Sequence, residues 1–385
     1  MRYTGLSRIY RSPQERRPKH RKTPTLDFLI QWVWRPFLRK RILYLANTDT
    51  DYLSDSVFHG LRLLFGADVI DFPKADRMYK SVSKDLISSR RGHGFTLYGT
   101  LEDLHVERPS SVTPEYAATF DLVVVADIWR QVELFRLLRL ALHEKNAIIL
   151  DGSDVPSLYK YAGTYWRDSK LCNVPGTDGI PYFKRELMPE TLVYRSYMLL
   201  PKNLARRLMC FAPYLRTAFG VPPEKIIDHA PVKDKLMGSH IVDPEVAAHF
   251  AGATTGYAFN TEEGYYNDLQ RSRFAITTKR AGWDCLRHYE IAANACVPCF
   301  RDLKSKSDYC APHGLNETNC VIYTGLADLL LQIENMSEEK YSALQAGALA
   351  WAHSNSTVMR AVETLTQSGH SNFLLNADVQ HLSIR

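Results

Sequence analysis

The chain has 385 residues, of which 45% are hydrophobic, 23% charged and 11% aromatic. This length exceeds one ordinary core and fits two domains of average size. Because no run of about 18 apolar residues, no low-complexity tract and no fixed-period repeat occurs, we expect neither a membrane-spanning helix nor a repeat protein.

The net charge of +6 is unevenly distributed. Residues 1–41 contain 12 Lys or Arg and two acids, whereas the rest of the chain contains 36 bases and 40 acids. We call residues 1–40 the leader. Its second part interleaves Trp and Phe with Lys and Arg over 26–41, a composition typical of segments that lie in a membrane interface.

Three hypotheses for the leader stay open. Residues 1–41 contact an anionic membrane surface, or they pack on the body with a solvated basic edge, or they bind nucleic acid. The last lacks any accompanying nucleic-acid-binding motif, so no nucleic-acid partner is expected. The first apolar run contains Asp27 and lacks a cleavage site, and the seven Cys are scattered. We therefore expect a cytoplasmic protein with reduced, packed thiols, and peripheral membrane contact under the first hypothesis.

From residue 41 onward, strands and helices alternate. The sequence predicts strands over 41–47, 67–73, 121–127 and 146–154 and helices over 51–66 and 132–144. Continuous apolar strands with intervening helices indicate a parallel sheet covered on both faces. Polar residues end three of these strands, at 47–51, at 127 and at 151–154, and the carboxyl ends of parallel strands are where α/β proteins bind ligands.

A proline-rich middle over 155–240 separates this domain, 41–205, from a second one, 206–385. The second domain repeats the alternation. Its predicted strands are 273–278, 296–302 and 320–325, and its predicted helices are 244–252, 265–272, 284–295, 327–336 and 337–355. Ser337 is predicted to cap the last of these helices.

The helix over 284–295 follows a glycine-containing loop, KRAGW, with Asp284 as its predicted cap. Its free N–H groups and dipole favour an anion such as a diphosphate, and Lys279, Arg280 and Arg287 add positive charge. Glu290, one turn further on, has the chemistry to accept hydrogen bonds from ribose hydroxyls. The alternative is that Arg287 and Glu290 form an ordinary surface ion pair.

The segment RFAITTKRAGWDCLRHYEIAANACVPCF, 273–300, resembles the donor-site segment of GT-B glycosyltransferases, in particular exostosin-like and CgeB-like proteins. Their pattern, R-x-x-E-A-x-A-x-G-x-[VI]-P, runs here through Arg287, Glu290 and Pro298, with Ile291 for Ala and Ala295 for Gly. The resemblance implies an α/β fold with two Rossmann-like domains facing a cleft. Weaker likeness extends to 44–66, PYFKREL (181–187) and the closing helices.

By the same resemblance, the protein is a glycosyltransferase of glycan or polysaccharide synthesis. Lys279 and Arg287 would neutralise the diphosphate of a nucleotide-sugar donor, and Glu290 would hold the ribose. Thr277, Thr278 and Gly282 would make further donor contacts. No metal and no cofactor is then expected, because the cations and the helix dipole stabilise the leaving group. A glycan or lipid-linked acceptor would face the first domain.

An inverting transferase also needs a general base near the acceptor hydroxyl. Asp51 and His59 are the candidates, with Asp55 and Asp151 behind them. Asp49-Thr50-Asp51 matches the D-x-D metal motif of GT-A enzymes, but three residues are a weak match. Two other function classes stay open: a non-catalytic nucleotide- or glycan-binding two-domain protein, and a nucleotide-binding partner protein recruited through its basic leader.

Overall fold

The computed structural model describes residues 40–89, 91–156, 158, 163–167, 170–174, 176–177, 179–188, 201, 204, 214–256 and 258–378. Residues 1–39 lie outside this part, so the hypotheses for the leader stay predictions. The predicted domain boundary at 205–206 also lies outside it. Within the described residues, no helix is long and apolar enough to cross a bilayer.

The first sheet contains six parallel strands in the order β2-β1-β3-β4-β7-β8. These strands are β1 (Ile42–Leu45), β2 (Val69–Phe72), β3 (Leu122–Val125), β4 (Ala147–Asp151), β7 (Tyr182–Lys184) and β8 (Leu215–Arg216). The helices among them are α1 (Tyr52–Phe65), α2 (Lys84–Ser88), α3 (Pro114–Ala117) and α4 (Val132–Leu138). A separate antiparallel hairpin joins β5 (Gly163–Arg167) to β6 (Lys170–Val174).

The central strands are buried on both faces, as their continuous apolar sequence predicts. In β1, Ile42 and Tyr44 face one apolar cluster, while Leu43 and Leu45 face another. Side chains alternate across a strand, so adjacent residues supply opposite faces. Helices must therefore cover the sheet from both sides, which is the arrangement of a Rossmann-like fold.

The second sheet contains four parallel strands in the order β12-β11-β10-β9. These are β9 (Lys235–Met237), β10 (Ser272–Thr277), β11 (Val297–Arg301) and β12 (Val321–Tyr323). The helices of this half are α5 (Pro244–Ala247), α6 (Glu262–Arg271), α7 (Leu286–Ala293), α8 (Leu326–Glu334), α9 (Glu338–Ser354) and α10 (Thr357–Gln367).

Local signals account for several helix ends. Ser337 caps α9 as predicted, accepting a hydrogen bond from the Lys340 N–H. The helix predicted over 132–144 ends at Leu138 and continues only as a 3₁₀ turn, because the chain reverses where the Asn146 side chain bonds the Ala141 carbonyl and the His143 N–H. The helix predicted over 244–252 is limited to four residues.

The chain crosses back at its end, where α10 packs against α1. Gly60 of α1 permits this close approach, because a Cβ there would lie 2.6 Å from the Thr357 carbonyl carbon. The largest apolar cluster also joins the two halves, since it includes Phe58 of α1, Tyr289 of α7 and Trp351 of α9.

The architecture is therefore α/β, with two Rossmann-like parallel sheets and a cleft between them, the GT-B-like arrangement expected from the sequence. We call the part that carries the first sheet the first lobe and the part that carries the second sheet the second lobe.

Candidate functional site

A cleft of about 490 Å³ is lined by loops that follow β1, β3 and β4 on the first lobe and by the loop and helix that follow β10 on the second. Asp51, Asp127 and Asp154 all line it. The expectation that the polar strand ends meet at one edge of the sheet is thus confirmed, because the carboxyl ends of parallel strands lie on the same side.

Asp51 is the N-cap of α1. Its carboxylate accepts the N–H groups of Leu53 at 2.9 Å and Ser54 at 3.1 Å. Burial, and next the charge of Asp127, raise the pKa of Asp51 to about 7, although the Ser54 N–H opposes the shift. Asp51 therefore exchanges protons near neutral pH, which suits a general base.

Asp127 is held in place by its own loop and by β1. It accepts hydrogen bonds from the Trp129 N–H at 3.0 Å and from the Asn47 amide at 3.2 Å. Burial raises its pKa, and the nearby Arg130 guanidinium, at 3.5 Å, opposes the shift. Tyr52 and Trp129 also line the cleft, so this wall combines carboxylates with aromatic residues.

Arg185, directly after β7, connects the loop after β4 to the second lobe. Its guanidinium donates to the Gly152 carbonyl at 2.9 and 3.0 Å and to Glu186 at 2.8 Å, and it pairs with Asp154. It also donates to the Asp284 carbonyl at 3.4 Å. This role was not predicted, although the charged run inside PYFKREL indicates a functional or paired cluster.

On the second lobe, Arg287 and Glu290 of α7 both line the cleft, and they are only 9% and 8% exposed. The alternative of a solvated surface ion pair does not fit this burial. The Glu290 carboxylate accepts hydrogen bonds from the Thr96 hydroxyl at 2.5 Å and the Tyr265 hydroxyl at 3.0 Å. Burial raises the pKa of Glu290, whereas the Thr96 hydrogen bond and then Arg287 lower it.

The predicted helix cap, Asp284, is wrong. Cys285 occupies the cap position without a side-chain hydrogen bond. The Asp284 carboxylate instead accepts the Phe219 N–H at 2.9 Å and the Tyr289 hydroxyl at 2.8 Å. A tertiary contact has thus taken the side chain that the local pattern assigned to the helix end.

Only some residues of the glycine loop after β10 line the cleft. Gly282 lines the cleft, and a Cβ there would lie 2.9 Å from the carboxyl carbon of the buried Glu186, so the position favours glycine. Thr278 is half-buried and Lys279 is exposed, and neither is among the residues that line the cleft. Arg280 lines it instead.

Beneath this loop, Thr277 supports the fold and does not face the cleft. Its hydroxyl bonds His288 Nδ1 at 2.7 Å, and His288 Nε2 bonds the Trp283 carbonyl at 2.9 Å. Burial lowers the pKa of His288 to about 3, so the ring is neutral and donates through Nε2 to the carbonyl. The side chains of Thr277 and His288 thus support the loop through the Trp283 carbonyl.

His240 is a further second-lobe residue that sequence analysis missed. It lines the cleft, and burial, followed by the charge of Arg287, lowers its pKa to about 4. The ring is therefore a neutral hydrogen-bonding group at physiological pH. No sequence signal distinguished it from other histidines.

Other candidate bases do not reach the cleft. His59 is fully buried between α1 and α10, where Nδ1 bonds the Thr357 hydroxyl at 2.8 Å and Nε2 lies 3.3 Å from Glu224. Asp55 pairs with the buried Arg77, and Asp151 with the buried Lys184. A role as base at a bound acceptor does not fit these positions.

The D-x-D motif and the neighbouring cysteines Cys296 and Cys299 have local explanations. Asp49 is exposed, whereas Asp51 caps α1 and lines the cleft. Cys296 and Cys299 are buried free thiols, as predicted. Within the described ranges, no group of three or more His, Cys, Asp or Glu is placed to hold a metal ion.

Among known proteins, the chain is similar at low identity to a solved structure. No family model and no curated protein matches the chain. Among solved structures, it is similar to the crystal structure of Anabaena Alr3699/HepE in complex with UDP and glucose. The identity is 10% and the TM-score 0.44, over 86% of this chain and 100% of that chain. This distant likeness carries no argument, so the fold and the site rest on the geometry above.

Proposed function

We propose that the protein is a glycosyltransferase that moves a sugar from a nucleotide-sugar donor to an acceptor hydroxyl. One observation carries the proposal: Arg287 and Glu290, both nearly buried, line a cleft opposite Asp51, whose pKa burial raises to about 7. The cleft thus has cations on one wall and a carboxylate poised for proton transfer on the other.

The donor occupies the second-lobe wall in this proposal. Arg280 and Arg287 face the diphosphate, and the N-terminus of α7 adds backbone N–H groups and its dipole. The neutral ring of His240 donates a further hydrogen bond. These groups stabilise the charge that develops on the departing nucleoside diphosphate, so we propose that the reaction requires no metal ion.

Glu290 accepts hydrogen bonds from the ribose hydroxyls. A carboxylate offers about four lone-pair sites, of which Thr96 and Tyr265 occupy two. Room for two hydroxyl donors therefore remains, one on each oxygen. This assignment explains why a carboxylate is buried beside a cleft that attracts a diphosphate.

The acceptor occupies the first-lobe wall, where Tyr52 and Trp129 offer aromatic faces to a sugar ring. Asp51 removes the proton of the acceptor hydroxyl as its oxygen forms a bond to the anomeric carbon. The bond from that carbon to the diphosphate breaks at the same time, and its electron pair leaves with the nucleotide. The product has inverted configuration at the anomeric carbon.

We propose a glycan or lipid-linked acceptor, with cytoplasmic location and membrane contact through residues 1–41. The exostosin-like or CgeB-like subtype and a role in polysaccharide synthesis belong to the same proposal. These finer points are supported by the sequence patterns of residues 1–41 and 273–300.

Turnover with a panel of UDP-, GDP-, CMP- and TDP-sugars, with and without EDTA, tests the proposal. We expect hydrolysis or transfer with at least one donor, and a rate that EDTA does not change. Binding without turnover for every donor would favour a non-catalytic binding protein instead. A rate that EDTA abolishes would contradict metal independence.

A further inference from the structure

A loop of the first lobe, residues 91–99, reaches the second lobe beside the cleft. Phe95 packs against an apolar cluster that includes Tyr265 of α6 and Ile291 of α7, and its ring stacks on Tyr265 at 6.4 Å. Gly92 and Phe95 both line the cleft. The loop therefore bridges the two lobes where the donor is proposed to bind.

Thr96 makes the polar part of this bridge, and it is only 1% exposed. Its N–H donates to Glu262 at 2.6 Å and its hydroxyl donates to Glu290 at 2.5 Å. The hydroxyl proton is used by Glu290, so the Tyr266 hydroxyl, at 2.7 Å, is the donor in the remaining contact. One first-lobe residue thus bonds three second-lobe side chains.

The backbone of this loop is held in an unfavourable conformation. Thr96 has a φ of 76°, in a region that β-branched residues rarely adopt, and His93 has a φ of 54°. Gly92 and Gly94 also have positive φ, and a Cβ at Gly94 would lie 2.5 Å from Ile87. Such a conformation persists only where surrounding contacts fix it. The contacts of Thr96 with the second lobe supply that constraint.

We propose that Thr96 is a positioning residue for the donor site: it fixes the Glu290 carboxylate and thereby couples closure of the two lobes to nucleotide binding. The inference rests on the proposed function. Thr96 holds one carboxylate oxygen and Tyr265 the other, so the remaining lone pairs point in defined directions. When the lobes separate, Glu290 loses its partner from the first lobe, and the oriented acceptor for the ribose is lost with it.

Two variants distinguish the contribution of the Thr96 hydroxyl from that of the Thr96 backbone. Thr96→Val retains the β-branched shape and removes the hydroxyl, whereas Thr96→Ser retains the hydroxyl. Because a hydrogen bond to a charged group is removed, we expect Thr96→Val to weaken nucleotide binding about tenfold or more. Thr96→Ser should bind within about twofold of wild type. The measurement is calorimetric titration with UDP, GDP and TDP, using the one that binds wild type best.

Coupling between the lobes has its own readout. Reciprocal linkage requires that nucleotide binding to the second lobe stabilise the first-lobe loop. We expect the nucleotide to slow hydrogen exchange at the amides of 95–97 in wild type and Thr96→Ser, and to leave exchange unchanged in Thr96→Val. A merely structural role would not make this protection depend on the ligand.

The inference is overturned if Thr96→Val binds as well as wild type, if Thr96→Ser binds as poorly as Thr96→Val, or if the nucleotide leaves exchange in wild type unchanged. Hydrogen exchange in wild type, with and without nucleotide, still tests the inference if Thr96→Val fails to fold. If Glu290→Ala weakens binding and Thr96→Val does not, the inference fails while the donor site stands. If no nucleotide binds wild type, both fail.

Discussion

Asp51→Asn tests two properties of the proposed base: its role in the reaction and its effect on the pH dependence of stability. Asn is as good a helix N-cap as Asp, so the change leaves α1 capped and removes only the titratable charge. Because the folded pKa is raised, from 3.8 to about 7, the protonated carboxyl contributes stability at low pH that is lost as the pH rises through about 7. The free energy of unfolding of wild type should therefore decrease as the pH rises towards 7, whereas that of the variant should lack this decrease.

The size of this effect follows from the shift. Near pH 5.5 the carboxyl of the folded protein is protonated, and near pH 8.5 it is ionised. The free energy of unfolding of the variant, relative to that of wild type, should therefore be about 2 kcal/mol higher at pH 8.5 than at pH 5.5. Urea unfolding at both pH values measures it. Asp49→Asn, an exposed neighbour, is the matched control and should show no such trend.

Wild-type activity should rise with pH, whereas wild-type stability should fall. Wild-type turnover should fall as the pH drops through about 7. Asp51→Asn should lose about 100-fold or more near pH 8.5, where the wild-type carboxyl is ionised, and a smaller factor near pH 5.5, where it is protonated. A stability difference that does not depend on pH, or one that favours wild type at high pH, would refute the assignment of a raised pKa to Asp51. An Asp51→Asn enzyme that retains normal turnover would refute its role as base.

Three further outcomes are expected. Arg287→Ala should weaken nucleotide binding by about 10- to 100-fold in calorimetry. Lys279→Ala should leave it nearly unchanged, because that side chain does not line the cleft. The reverse order would contradict the placement of the diphosphate. Gly282→Ala should lower the free energy of unfolding by about 1–3 kcal/mol, since its Cβ would press on the buried Glu186, and an unchanged urea midpoint would be inconsistent with that contact. Deletion of residues 1–40 should release the protein from anionic vesicles in a flotation assay, and full-length protein that never binds them would remove the membrane hypothesis.

Much of the fold could be predicted because its signals are local. The strands are continuous apolar runs, and the polar residues that end them identify the edge where Asp51 and Asp127 meet. Arg287 and Glu290 could be placed on one helix after a glycine loop from spacing alone. Their burial could not, since it depends on how the first lobe covers them.

The remaining site residues depend on tertiary contacts that leave no local pattern. Thr96 is an ordinary residue in sequence, and only the approach of its loop to α7 gives it a role. Which of two adjacent cations, Lys279 or Arg280, faces the cleft is decided by the conformation of the glycine loop. His59 has suitable chemistry for a base but lies on the face of α1 that α10 covers.

The measurement that tests the account most directly is nucleotide binding to Glu290→Ala. The account predicts that wild type binds a nucleoside diphosphate and that the variant binds it about 10- to 100-fold more weakly, because the ribose loses its charged acceptor. Glu338→Ala, which removes an exposed carboxylate that pairs with Arg273, is the control and should bind as wild type does. Equal affinity in a folded Glu290→Ala protein would contradict the placement of the donor on the second lobe.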